Sequence, residues 1–160
     1  MNRPRDAAAV RVFPPGVPLV TILAGVGLQY LLPTAFLFAA VPAAARYAVG
    51  GTLVIGAVLG LGLWSVVLMR RVGQSENPWT ATTAIVEAGP FRVTRNPMYL
   101  QMVLVCIGVG IMLANLWILL LTPLCGWLLY RLVIVPEERY LEGKFGASYL
   151  AYKRRVRRWL

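Results

Sequence analysis

The chain has 160 residues, 59% of them hydrophobic and only 14% charged, with a mean hydropathy of +0.69. Soluble domains average about 45–50% apolar and about 25% charged residues, so an ordinary soluble globule is excluded. Sixteen Lys and Arg against six Asp and Glu give a net charge of +10, and there is no histidine. That absence removes His-based acid–base catalysis, His-ligated haem and imidazole zinc sites.

The first apolar block runs over about 19–38, without an ionisable residue and with Pro33 near its end. The second, about 47–69, is rich in Gly and Leu. Each reaches the roughly 20 residues that cross a hydrocarbon layer. The third block, Tyr99 to Val135, holds one ionisable residue, Arg131. As one helix it would be about 55 Å long, too much for a single crossing. Asn115 interrupts it near the middle, so a tight hairpin of helices over about 99–114 and 116–135 is predicted, the second kinked at Pro123. The expected fold is all-α: a polytopic membrane protein of four transmembrane helices in one domain, with an amphipathic C-terminal helix on the cytoplasmic side.

The arginines orient the spans. Basic residues precede the first, lie between the second and third (Arg70, Arg71, Arg92, Arg95), and follow the fourth from Arg139 to Arg158. The first-to-second connection holds only Arg46. The positive-inside rule then places both termini in the cytoplasm; if the chain is prokaryotic, the membrane is the plasma or inner membrane. A cleaved signal peptide ending at Ala43-Ala44-Ala45 is not expected, because the preceding apolar run exceeds the usual core length.

The connection from Arg70 to Pro97 carries Asn77-Pro78-Trp79 and Gly89-Pro90-Phe91 and shows no helical periodicity, so turns and extended chain are predicted there. Structureless connections of this length are usually functional or disordered. In the tail, Pro136 suits the first position of a new helix with Glu137 and Glu138 in its first turn. Gly146 should break that helix. Tyr149, Tyr152 and Val156 then recur at helical spacing opposite Arg154 and Arg158, an amphipathic basic helix suited to a membrane surface. Anionic lipid headgroups are its expected partner; no nucleic-acid fold accompanies the charge.

Glu137 and Glu138 are the only adjacent carboxylates. They are either acids balancing a helix N-terminus or a seat for a cationic group at the membrane boundary. Arg131 either snorkels to the interface or points into a polar cavity. Cys106 and Cys125 form no Cys-x-x-Cys pair and read as buried small hydrophobes, so no metal site is expected.

Taken in order, Gly89-Pro90-Phe91-Arg92, Thr94-Arg95-Asn96-Pro97-Met98-Tyr99-Leu100, an apolar hairpin, Pro136-Glu137-Glu138, Phe145-Gly146 and Tyr149-Leu150-Ala151-Tyr152-Lys153-Arg154-Arg155-Val156 form a composite pattern. It resembles the small integral-membrane methyltransferases related to isoprenylcysteine carboxyl methyltransferase and phosphatidylethanolamine N-methyltransferase, over about residues 72–158. The resemblance implies S-adenosylmethionine as cofactor. It also implies a pocket lined by Arg95, Asn96, Pro97, Met98, Tyr99, Glu137 and Glu138, closed by Tyr149 and Tyr152 from the tail. One acid of the pair is implied near the cofactor ammonium, and Arg95 and Arg154 are available for its carboxylate.

The sequence departs from the family at three places, one being that the carboxyl methyltransferases place an Arg closer to the paired acids than Arg131 stands here. Carboxyl methyltransferases also usually carry His where Asn96 stands, and Gln101 replaces a common Gly; the three together disfavour a prenylcysteine substrate. The implied reaction is methyl transfer to a lipophilic small-molecule or lipid acceptor entering from the bilayer, with Glu138, Arg131 and Asn96 as candidate catalytic residues. A small transporter and a non-catalytic scaffold are the rival readings. A transporter lacks an intramembrane acid in the first two spans to couple ions.

Overall fold

A computed structural model describes residues 6–34 and 40–160. Five helices carry the described chain: α1 (Gly16–Leu31), α2 (Ala43–Arg71), α3 (Pro97–Met112), α4 (Leu116–Phe145) and α5 (Ala147–Arg155). No strand occurs among the described residues; Thr94 and Arg157 form a single parallel bridge.

α1 starts earlier than hydropathy suggests because Pro14 and Pro15 already set helical φ values ahead of Gly16. It stops at Leu31, where Pro33 forces the preceding residue out of the α region: Leu32 has φ −133° and ψ 74°. The predicted span over 19–38 is therefore shortened, and its last residues, 35–38, lie outside the described ones. α1 and α3 have 16 residues each, about 24 Å of helix. α2 and α4, with 29 and 30 residues, are long and apolar enough to cross a membrane. In their most apolar windows only 22% and 33% of residues are buried inside the protein. Helices at the heart of a soluble protein would be mostly buried. Here Ile55, Leu59, Leu120, Leu124 and Trp127 face outward, an apolar belt that water would not tolerate.

The hairpin falls where Asn115 predicts it. Ala114 takes a left-handed φ of 46°. Asn115 caps α4 by accepting from the Ile118 N–H at 3.0 Å, and its Nδ2 donates to the Gly25 carbonyl of α1 at 3.2 Å. Pro123 sits inside α4 without ending it.

One expectation for α4 changes. No separate helix starts at Pro136; the rod runs unbroken from the apolar stretch 116–135 into the polar stretch 136–145. Pro136 has no N–H for the carbonyl one turn earlier and its ring crowds that carbonyl. The helix meets this by widening into π turns over Tyr130–Ile134. Its polar end then projects about 15 Å beyond the apolar part. A second π stretch, Ala57–Leu63, lies inside α2.

α2 packs on α3, α3 on α4, and α4 on α1. Bare backbone sets these crossings. A Cβ on Gly50 would lie 2.5 Å from the Gly108 carbonyl, and one on Gly25 would lie 2.8 Å from the Ile118 nitrogen. The small residues of Gly108-Val109-Gly110 therefore serve helix contact: Gly108 meets α2 and Gly110 meets Leu119 of α4. Cys106 and Cys125 are free and buried.

Three segments without long helices gather at one end of the bundle. They are residues 6–13, the connection 72–96, and the tail after Gly146, whose φ of 52° breaks α4 from α5. Asp6 accepts from Tyr140 and Lys144 of α4, while Trp79 Nε1 donates to the Val10 carbonyl at 3.0 Å. Arg46 lies at the opposite end, donating to the carbonyls of Val41 and Met112.

Candidate active site

The motif segment before α3 is fixed by the tail. Thr94 Oγ1 and Asn96 Nδ2 both donate to the Arg158 carbonyl at 3.0 Å, and the Arg95 N–H donates to the Arg157 carbonyl at 3.0 Å. Tyr152 Oη donates to the Phe91 carbonyl at 2.7 Å, tying α5 to the short 3-10 turn Gly89–Arg92. The tyrosine face of α5 is thus buried against the chain itself. Tyr149 and Tyr152 are each 3% exposed, which corrects the expectation that this face lies on the membrane. Burial pushes both phenols up from their ordinary range, so they stay neutral.

Between these pieces and α4 lies a cavity of about 850 Å³, counting its open mouth. Arg95, Asn96, Pro97, Met98 and Tyr99 line it from the start of α3. Glu137 and Glu138 line it from α4, and Tyr149 and Tyr152 from α5. The connection supplies the facing wall, from Gln74 to Asn77 and from Ala84 to Val86. Ala8 reaches it from the N-terminal segment.

The two adjacent acids do different things, because neighbours on a helix point about 100° apart. Glu138 is buried and takes two arginines. Arg95 Nη2 lies 3.0 Å from its Oε1, while Arg158 donates from Nε at 3.0 Å and from Nη2 at 2.7 Å. Arg158 also stacks over the Tyr130 ring at 5.0 Å. Glu137 is half-buried and accepts from Tyr99 Oη at 2.7 Å. Among the described residues no cation pairs with it. Arg95 is the complementary case: its Nε and Nη1 are buried and unpartnered.

Two residues singled out in the sequence do not join this constellation. Arg154 and Arg131 are exposed and line no part of the cavity. Asn96 does line it, with its amide committed to the Arg158 carbonyl. Arg158 is the ionic partner that sequence reading missed. It stood in a basic run with no local sign that the tail folds back onto α4.

The fold and cavity define a small membrane-embedded helical protein with an ionic, partly enclosed chamber at one end. The chain belongs to the phospholipid methyltransferase family, whose pattern matches residues 38–148. It is accordingly an S-adenosylmethionine-dependent methyltransferase acting on lipid acceptors. That membership displaces the transporter and scaffold readings. A stretch of 63 residues, 39% of this chain, is 38% identical to the whole of an uncharacterized protein of Haemophilus influenzae. No solved structure matches.

Proposed function

We propose that the ionic cavity binds S-adenosylmethionine, with the Glu137 carboxylate on its ammonium and the free N–H groups of Arg95 on its carboxylate. The observation that carries this reading is a carboxylate without a cation and a guanidinium with unused N–H donors in one cavity. A half-buried carboxylate has only a phenol as partner, and a buried guanidinium keeps two N–H donors unused. Unsatisfied buried donors cost about 1–3 kcal/mol each, and charge-assisted bonds to a zwitterionic ligand remove that cost. Tyr99, held by its bond to Glu137, and the tyrosines of α5 supply flat walls for an adenine ring.

When bound, the sulfonium supplies an activated methyl group: the acceptor's lone pair forms the new bond as the carbon–sulfur bond breaks and its pair stays on sulfur. The protein's part is then alignment and exclusion of water. Glu138, with both oxygens taken by arginines, is a strut that positions Arg95. Asn96 is a positioning residue that holds the tail. Glu137 stays paired with the cofactor ammonium, and a proton lost by the acceptor passes to water.

The reading extends to topology. Helices α1 to α4 form four crossings, with α1 and α3 completed by flanking residues, and the cavity, both termini and the connection 72–96 face the cytoplasm. The acceptor is a lipid that enters from that leaflet. The test is incubation of detergent-purified protein with methyl-labelled cofactor and a total lipid extract, followed by separation of the lipids. Label in lipid with wild type and its loss in Glu137→Gln are expected. Unlabelled lipid, or equal labelling by the variant, would refute the assignment.

A further inference from the structure

A second cavity adjoins the first and is different in character. It holds about 1120 Å³ counting its mouth, and lies between the start of α1, the π stretch of α2 and the first turns of α3. Phe13, Val58, Leu63, Val66 and Met102 make its walls apolar. The two cavities share Met98 and Tyr99 on α3 and the turn Glu76 to Pro78, so they meet beside the Tyr99 ring.

One side chain in the helical wall of this second cavity is out of place. Gln101 is a half-buried carboxamide in an apolar helix. Its head rests on bare backbone: a Cβ on Gly62 would lie 2.7 Å from its Oε1. Gly62 belongs to the π stretch, so α2 is both widened and stripped of a side chain where the carboxamide needs room. Among the described residues none hydrogen-bonds to the Gln101 side chain; Tyr99 bonds to Glu137 and Trp79 to Val10. An amide offers one acceptor oxygen and two N–H donors, and in apolar surroundings an unmet one is costly.

We propose that Gln101 selects the methyl acceptor. It holds the acceptor's polar group by hydrogen bonding at the junction of the two cavities, while the acceptor's hydrocarbon chain occupies the apolar one. This rests on the cofactor lying in the first cavity. An acceptor N–H or O–H donating to Oε1 leaves its lone pair free to face the first cavity, and no atom of Gln101 changes bonding in the transfer. Among the described residues the second cavity is lined by no Lys or Arg, and Glu76 is the one acid that lines it. A carboxylate headgroup would therefore find no cation there.

The test uses detergent-purified full-length protein, methyl-labelled cofactor, and three probes of one chain length: dodecylamine, dodecanethiol and dodecanoate. The variants are Gln101→Leu, which removes the hydrogen bond at similar volume, and Gly62→Ala, which presses on the carboxamide from behind without lining the junction with a new polar group. Binding of S-adenosylhomocysteine is measured by calorimetry on each. Wild type should methylate dodecylamine in preference to dodecanoate. Gln101→Leu should raise the KM for dodecylamine by about tenfold to a hundredfold with kcat little changed. Gly62→Ala should shift the same KM in the same direction by a smaller factor, and S-adenosylhomocysteine affinity should stay unchanged in both. An unchanged KM and unchanged probe ratio in variants that bind S-adenosylhomocysteine normally would overturn the role of Gln101 and leave the cofactor assignment standing. So would wild-type protein that binds S-adenosylhomocysteine yet methylates none of the probes. Wild-type protein that does not bind S-adenosylhomocysteine would overturn the cofactor assignment and the inference with it. If Gln101→Leu does not fold, the KM of Gly62→Ala decides.

Discussion

Replacing Glu138 with alanine removes the carboxylate that joins α3, α4 and the tail. The side chains of Glu138 and Arg95 are 6% and 7% exposed, whereas that of Arg158 is 34% exposed. In the variant, Arg95 loses its one ionic partner, and its Nε and Nη1 were already unpartnered. Its whole guanidinium is then buried and unbonded. Breaking a buried pair from one side costs about 3–5 kcal/mol. Arg158→Ala removes a rim charge that water already reaches, worth about 1 kcal/mol or less as an ion pair. It also loses a cation–π contact of about 0.5–1 kcal/mol. Glu138→Ala is therefore predicted to destabilise by at least about 1 kcal/mol more than Arg158→Ala, with Glu138→Gln in between because it keeps one acceptor oxygen. Equilibrium unfolding in mixed micelles, followed by tryptophan fluorescence, measures all three. Equal, small losses for Glu138→Ala and Arg158→Ala would mean that the carboxylate is not the buried hub described here.

Adjacent glycines of α2 should respond in opposite directions. Gly50→Ala drives a Cβ to 2.5 Å from the Gly108 carbonyl, whereas a Cβ on Gly51 meets nothing within 4 Å. The first should destabilise by about 1–3 kcal/mol as overpacking, the second stabilise by about 0.5–1 kcal/mol through helix propensity, both read in the same unfolding assay. The N-terminal segment should be released by acid. Hydrogen bonds from Lys144 and then Tyr140 hold the Asp6 carboxyl below its ordinary range. A depressed carboxyl stabilises fully above its unfolded value of about 3.9, and that contribution is lost as pH falls through the lower folded value. Hydrogen exchange over residues 6–13, corrected for intrinsic rates, should show protection at neutral pH that weakens toward pH 3. The same protection at both pH values would contradict the clasp.

Hydropathy located the apolar blocks because lipid-facing helices need no amphipathic pattern, and Asn115 marked the hairpin because a buried turn needs a polar cap. Helix ends were less legible. Pro33 shortens α1 locally, while Pro136 fails to end α4 because π turns absorb it, and the surrounding residues give both prolines the same helix-breaking signature. Motif order brought together the residues of α3, α4 and α5 that line the cavity, whereas its facing wall from Gln74 to Asn77 and from Ala84 to Val86 carried no such sign. The division of labour between Glu137 and Glu138 did not follow from motif order, since it depends on which face of α4 the returning tail covers. Arg158 was invisible for the same reason: a basic run has one appearance in sequence whether it faces lipid headgroups or a buried carboxylate. Gln101 was legible as a departure from the family, but the empty space beside it required Gly62, 39 positions away in another helix.

The most direct test is calorimetric titration of S-adenosylmethionine into purified wild-type protein and Glu137→Gln at neutral pH. The account predicts saturable binding to wild type and affinity lower by about tenfold or more in the variant, the worth of one charge-assisted bond, with no loss of stability. Equal affinity in a folded variant would contradict the assignment of Glu137 to the cofactor ammonium, and no binding to wild type would contradict the cavity as the cofactor site.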